Sequence, residues 1–260
     1  MHQVARQSTG GSVMGVLARL FPAPILKRLR AAIRWWDGQP PIGGINFGDL
    51  RQLRPVSRAF GSDRGLAVDR YYVEQFLEAC RPDIRGRVLE VGESTYTRRF
   101  GGDKVSRSDV LHVHDRNPKA TIVGDLAHCP HVPDESFDCI ILTQTLQLIF
   151  DLPSAMRSLN RILAPNGVLL VTVPGMSQVA DSEWRKTWYW SFTTLAVERL
   201  LREAMPGADI DVRASGNVLA ATAFLQGISA SELSQKELDT ADPDYQLLIT
   251  ARAAKVRSSS

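Results

Sequence analysis

The stretch "RVLEVGESTYTRRFGG", residues 87–102, ends an apolar run of Val88, Leu89 and Val91 with Glu90 and Gly92 in place. A strand that turns at a glycine lets the backbone approach a ligand closely. Two more acidic groups stand at the ends of later expected strands: Asp109 near the end of "KVSRSDVL", and Asp125 within "GDL", Gly124–Asp125–Leu126. Carboxylates at successive strand ends suit the hydroxyls and amino groups of a nucleoside. A dinucleotide site would need G-x-G-x-x-G after the first strand, and a phosphate loop would need G-x-x-x-x-G-K-[ST]. Neither occurs: Glu93, Ser94, Thr95 and Tyr96 follow Gly92, and Gly101–Gly102 come too late. A loop with so few glycines points to a nucleoside that carries no phosphates.

Composition removes other classes. The chain has 260 residues and a net charge of +3, unevenly placed. Residues 1–36 hold Arg6, Arg19, Lys27, Arg28, Arg30 and Arg34 and no acid, so the remainder is near −3. A body of that sign does not suit nucleic acid. Cys80, Cys129 and Cys139 share no C-x-x-C spacing, and Cys80 and Cys139 sit in apolar runs. They read as core in a reducing, cytoplasmic protein. No apolar run approaches the ~20 residues of a membrane span. His112 and His114 lack carboxylate support for a metal, so no metal site is expected.

The elements that must position these groups alternate. Residues 69–80, "DRYYVEQFLEAC", read as a helix with Tyr72, Val73, Phe76, Leu77 and Cys80 on one face. Strands are expected at 87–91, 104–111, 120–124, 138–143, 167–173, near 209–214 and at 245–253, with helices at 152–163, capped by Asp151, and at 193–204. Such alternation means a parallel sheet covered on both faces. Ahead of it, residues 13–36 place Leu26, Leu29, Ile33 and Trp36 on one helical face and Lys27, Arg30 and Arg34 on another. That basic amphipathic pattern suits a helix packed on the domain or a partner, or peripheral contact with an anionic membrane at the inner face. "DGQPPIGG", residues 37–44, reads as a linker. The division is then an extension at 1–44, a domain at 45–256 and a loose tail at 257–260.

With these elements in place the chain resembles the class I S-adenosylmethionine (SAM)-dependent methyltransferases over about residues 64–254. The strongest stretch, residues 122–175, runs from "IVGDL" through "PDESFDCIILTQT" and "LAPNG" to "VTVPG". "DRGLAVDRYYVEQFL", "YTRRFGG", "WYWSFT" and "GNVLAATAFL" are similar to a bacterial subgroup often found beside or fused to glycosyltransferases. The resemblance implies an α/β, Rossmann-like, seven-stranded, mostly parallel sheet with helices on both faces and an antiparallel last strand. It implies SAM as cofactor. Glu90 would fix the loop and the methionine amine, and Gly92 would admit the backbone. Asp109 would accept from the ribose, with Asp115 the alternative if the second strand runs to Val113. Asp125 would face the adenine amino group and Leu126 cover the ring. Thr143 and Gln144 would lie near the methyl donor. "GESTY" departs from G-x-G-x-G, so Ser94 and Thr95 would have to supply hydrogen bonds. Asn166 replaces the first glycine of a "PGG" turn, and asparagine tolerates left-handed geometry.

For the acceptor, Tyr96, Trp188 and Tyr189 are candidate contacts, whereas Trp190 and Phe192 suit the core. His128 and Glu183 are candidate bases. The long connection 215–244 between the last two strands is expected partly to cap the substrate site. The sequence thus predicts an O-methyltransferase acting on a glycan, polysaccharide or glycolipid precursor. The alternatives are a small-molecule methyltransferase, or a methyltransferase-like scaffold that binds a partner without catalysis.

Overall fold

The computed structural model describes residues 22–25, 28, 32, 38, 40–179 and 183–256, with Glu183 described by its backbone alone. The apolar and basic faces expected within 13–36, and the tail 257–260, lie outside the described residues. The chain divides into two compact units, Met1–Gln52 and Leu53–Ser260. Among the described residues of the first, a 3-10 turn spans Gly48–Leu50.

In the second unit seven strands form one sheet: β1 (Gly86–Val91), β2 (Val105–His112), β3 (Ile122–Val123), β4 (Phe137–Thr143), β5 (Leu163–Pro174), β6 (Asp209–Ser215) and β7 (Leu248–Ala254). Their order is β3-β2-β1-β4-β5-β7-β6. β7 runs antiparallel to both neighbours, and the other paired strands run parallel. The expected strands are all present. β3 is shorter than expected because Gly124 leaves the ladder for the turn at Asp125, which bridges His128.

β4 is central, and Phe137, Cys139, Ile140, Ile141 and Leu142 are fully buried, as its unbroken apolar run requires. α1 (Val68–Ala79) covers one face of the sheet with Val68, Tyr72, Val73 and Leu77. α2 (Leu152–Ile162) and α3 (Thr194–Ala204) cover the other. Asp151 caps α2 by accepting from Ser154 N at 3.1 Å, and Thr193 caps α3 by accepting from Ala196 N at 3.2 Å. Asn166 adopts φ +62°, the left-handed turn that its replacement of glycine demanded.

The connection 215–244 folds into α4 (Val218–Gln226) and α5 (Gln235–Asp239). Asn217 starts α4 by accepting from Ala220 N, and Gly227 at φ +69° ends it. Ala220, Ala221, Phe224 and Leu238 are buried with α1 in the same core, and the Tyr72 hydroxyl donates to Leu238 O at 2.9 Å. This segment is therefore built into the domain and is not a detachable flap. Cys80, Cys129 and Cys139 are buried free thiols. No described helix is long and apolar enough to cross a membrane.

Candidate functional site

The carboxyl ends of β1, β2, β3 and β4 stand side by side, and the loops leaving them form the crevice expected of an open α/β sheet. Glu90, on β1, is 3% exposed and organises the first loop. Its Oε2 accepts from Thr97 N and Thr97 Oγ1, each at 2.7 Å, and its Oε1 accepts from Tyr96 N at 3.2 Å. Burial raises its pKa, and the Thr97 and Tyr96 donors oppose the rise. Both oxygens serve the loop, so the loop-fixing role has a structural basis in three bonds.

Gly92 has φ +93°, and a Cβ there would meet nothing within 4 Å. The glycine is needed for its backbone angle, and the space above it is open to a ligand. Gly92 N donates to Leu111 O at 2.9 Å, and its carbonyl accepts from Asn117 Nδ2 at 2.7 Å, which ties the loop to the end of β2. Ser94 is buried; Thr95 is exposed and donates to Glu93 Oε2. The chain then makes a single π-helical segment, Thr97–Gly101, instead of a long helix. Gly101 is a packing glycine, since a Cβ would come within 2.4 Å of Val105 Cγ2.

Asp109 requires correction. It does not end β2, which continues through Val110, Leu111 and His112. It pairs in register with Leu89 in mid-sheet and is 1% exposed. Arg87 Nε donates to Oδ2 at 2.7 Å, Thr121 Oγ1 donates to Oδ1 at 3.0 Å, and Arg107 Nη2 donates to Oδ1 at 3.2 Å. Burial would raise its pKa, but the Arg87 and Thr121 hydrogen bonds and the Arg87 charge hold it below the ordinary value. A buried carboxylate so fully engaged is structural. The acid beyond the carboxyl end of β2 is Asp115, exposed in the turn that follows His112.

Asp125 is exposed at the turn after β3, and its Oδ1 accepts from Ala127 N at 2.9 Å. Leu126 is 3% exposed and its side chain lies in the core among Leu111, Cys129 and Val132, so its packing is accounted for without a ring to cover. His128 is exposed on the same loop, its backbone N donating to Asp125 O.

Thr143 ends β4, half-buried, and Gln144 follows at φ +49°, an uncommon angle for glutamine. Gln144 N donates to Thr172 O at 2.8 Å. Gln147, 2% exposed, donates from Nε2 to Gln144 O at 2.8 Å, while its Oε1 is buried with no partner. The Gln147 carbonyl accepts from Tyr189 N at 2.8 Å, which straps the loop after β5 to the loop after β4.

That strap carries the aromatic residues. Tyr189 is exposed and meets Phe150 edge to face at 5.3 Å. Trp190 stacks on Phe150, donates from Nε1 to Ile149 O and packs on the core, and Phe192 is buried, as expected of both. Trp188 is half-buried and stacks on Phe60, which stacks in turn on Phe224 of α4. Tyr96 packs against Phe100 beside Arg70 of α1. The Glu183 side chain lies outside the described residues.

Four groups escaped the sequence reading: Asp69, Asn117, Phe150 and Gln147. For Asp69 a signal existed: it precedes Tyr72 and Val73 by three and four residues, on the apolar face of α1. The other three sit in loops with no periodicity to mark them.

The comparisons with known proteins agree on a family. A family model described as a methyltransferase domain matches residues 60–205. A malonyl-[acyl-carrier protein] O-methyltransferase of Halorhodospira halophila is 28% identical over 170 residues, 55% of this chain and 56% of that protein. A probable S-adenosylmethionine-dependent methyltransferase of Mycolicibacterium smegmatis is 35% identical over 78 residues, 30% of each. The matches thus span about half or less of these curated relatives. Among solved structures, a SAM-dependent methyltransferase of Thermotoga maritima, described as a possible histamine N-methyltransferase, shares the fold. It aligns with a TM-score of 0.50 at 20% identity and covers 77% of this chain and 98% of that one. With the family model covering more than half of its length, the chain belongs to the methyltransferase-domain family, in the class I, SAM-dependent architecture.

Proposed function

We propose that the chain is a SAM-dependent O-methyltransferase whose acceptor is a hydroxyl of a glycan, polysaccharide or glycolipid precursor. The described residues fit the cofactor. Open space lies over Gly92, and the exposed carboxylates of Asp115 and Asp125 follow β2 and β3. Buried unpartnered oxygens on Asp69 and Gln147 await donors. Asp115 would take the ribose and Asp125 the adenine amino group, with Thr143 and Gln144 at the methyl-donor end. When bound, SAM supplies a methyl group made electrophilic by a sulfonium. The chain aligns an oxygen with it and excludes water. Of the candidate bases, His128 neighbours Asp125 on the adenine-side loop, so it would serve only an acceptor approaching from that loop.

The observation that carries the acceptor class is the exposed Phe150–Tyr189 pair, held against the β4 loop by the Gln147 carbonyl. Flat apolar faces with a polar tip suit the stacked faces of sugar rings. The connection 215–244 would border the same acceptor through the Phe224–Phe60–Trp188 stack.

A second reading, a carboxyl or small-molecule acceptor, is favoured by the relative that is a malonyl-[acyl-carrier protein] O-methyltransferase. Methyl-labelled SAM with panels of glycolipids, oligosaccharides and dicarboxylic thioesters separates the two. Label in an alkali-stable sugar ether supports the first reading. Label released as methanol by mild alkali marks a methyl ester and sinks it. A protein that binds no SAM would favour the scaffold.

The basic segment 13–36 would hold the enzyme at an anionic membrane surface in the cytoplasm, where a glycosyltransferase partner could deliver the acceptor. Removing residues 1–40 should abolish cosedimentation with anionic vesicles; unchanged sedimentation would discard that anchor.

A further inference from the structure

Loops with several glycines offer their backbone N–H groups to an amino acid, and this chain has Gly92 followed by Glu93, Ser94, Thr95 and Tyr96 instead. Glu90 has little acceptor capacity left, because three donors from Tyr96 and Thr97 take most of what its two oxygens offer. The neighbouring element offers another means. Tyr96, just past the carboxyl end of β1, has Asp69, Arg70 and Glu74 among its electrostatic neighbours, so the first turns of α1 stand over this loop. Asp69 is 8% exposed, and its Oδ1 is buried with no hydrogen-bond partner. Its Oδ2 lies 3.9 Å from Arg70 Nε, too far for a hydrogen bond. The Arg70 side chain is 39% exposed, and its guanidinium hydrogen-bonds the Tyr96 hydroxyl while staying reachable from the crevice side.

A buried carboxylate with an empty acceptor position is costly unless a donor reaches it. Two adjacent opposite charges, one buried and one accessible, match a zwitterion: an ammonium for Asp69 and a carboxylate for the Arg70 fork. Resting on the reading that this crevice takes SAM, we propose that Asp69 and Arg70 form the clamp for the α-amino acid end of its methionine arm. In this chain α1 thus replaces the missing glycines as the main determinant of affinity for that arm.

The test is calorimetric, on the full chain, with two probes. S-adenosylhomocysteine carries the amino acid arm, and 5′-methylthioadenosine has the same adenosine and sulfur without it. Asp69→Asn and Arg70→Gln should each weaken S-adenosylhomocysteine roughly tenfold or more. Both should leave methylthioadenosine within roughly twofold, since it forgoes only charged hydrogen bonds it never made. Equal losses for both probes, or no loss for either, overturn the clamp. A second measurement needs no variant: wild-type protein should bind the deaminated homocysteine analogue far more weakly than S-adenosylhomocysteine, and equal affinity overturns the role of Asp69. Wild-type protein that binds neither probe overturns the cofactor reading itself, and the clamp with it.

Discussion

Arg87 Nε and Asp109 Oδ2 lie 2.7 Å apart across the parallel strands β1 and β2, three residues short of the strand's end. Arg87 also lies over the Phe137 ring at 4.7 Å, so the pair belongs to the core beneath α2 and not to the crevice. Asp109→Ala should therefore lower stability by about 3 kcal/mol, because it strands a largely desolvated guanidinium. Its affinity for S-adenosylhomocysteine should change little. Asp115→Ala should do the reverse, weakening the ligand roughly tenfold with an unchanged denaturation midpoint. Denaturant melts and calorimetry on both variants decide which acid serves the ribose.

Glu90 joins β1 to the first loop through Tyr96 N, Thr97 N and Thr97 Oγ1. Glu90→Ala leaves those donors without acceptors in a buried place. A loss of about 2–3 kcal/mol is expected. Hydrogen exchange at the Tyr96 and Thr97 amides should speed up well beyond the global change. Unaltered protection there would mean the loop is held by other contacts.

Asp69 sets function against stability. Burial raises its pKa, and the Arg70 charge and the backbone N–H groups of Arg70 and Asp69 only partly oppose this. The folded state therefore favours the protonated form. That contribution is full below the ordinary aspartate value and is lost as pH rises through the higher folded-state value. Asp69→Asn never carries the charge that burial disfavours, so the variant should gain on the wild type as pH rises. The gain should vanish on acidification, in melts taken between about pH 8 and pH 4. A variant that loses on the wild type as pH rises would show that the charge has a partner in the fold.

Phe150 is 69% exposed, so Phe150→Ala should leave folding and SAM binding intact. If the aromatic pair holds the acceptor, KM for that acceptor rises roughly tenfold while kcat changes little, the mark of lost uniform binding. Tyr189→Ala should do the same. An unchanged KM in both removes the pair from the site.

At Asn166, φ +62° disfavours branched side chains. Asn166→Val should cost roughly 1–2 kcal/mol, and Asn166→Gly should be close to neutral, both read from denaturant midpoints.

Strand and helix identity was legible because it depends on local patterning. The unbroken run of β4 required two covered faces, and Asp151 announced α2 by its place before apolar periodicity. Gly92, Asp125 and Thr143 were also legible, since each follows an apolar strand directly. The order β3-β2-β1-β4-β5-β7-β6 is visible only in the structure, because pairing between strands distant in sequence leaves no local trace.

Where the reading failed, the missing information was where a strand ends and what faces it. A carboxylate three residues from a strand's end has the same spacing as one at the end, and only Arg87 on the adjacent strand tells them apart. The length of 215–244 suggested an insert, and Phe224 and Leu238 enter the core only because α1 lies beside them. Residue types and periods along the chain determined the elements and the glycine turn, since those depend on neighbours a few residues away. Tertiary structure decided that Asp109 pairs with Arg87 and Thr121, that Glu90 holds its own loop, and that Asp69 is buried. Each of those outcomes depends on which distant residue arrives at hydrogen-bonding distance, and that is set only when the sheet and its helices pack.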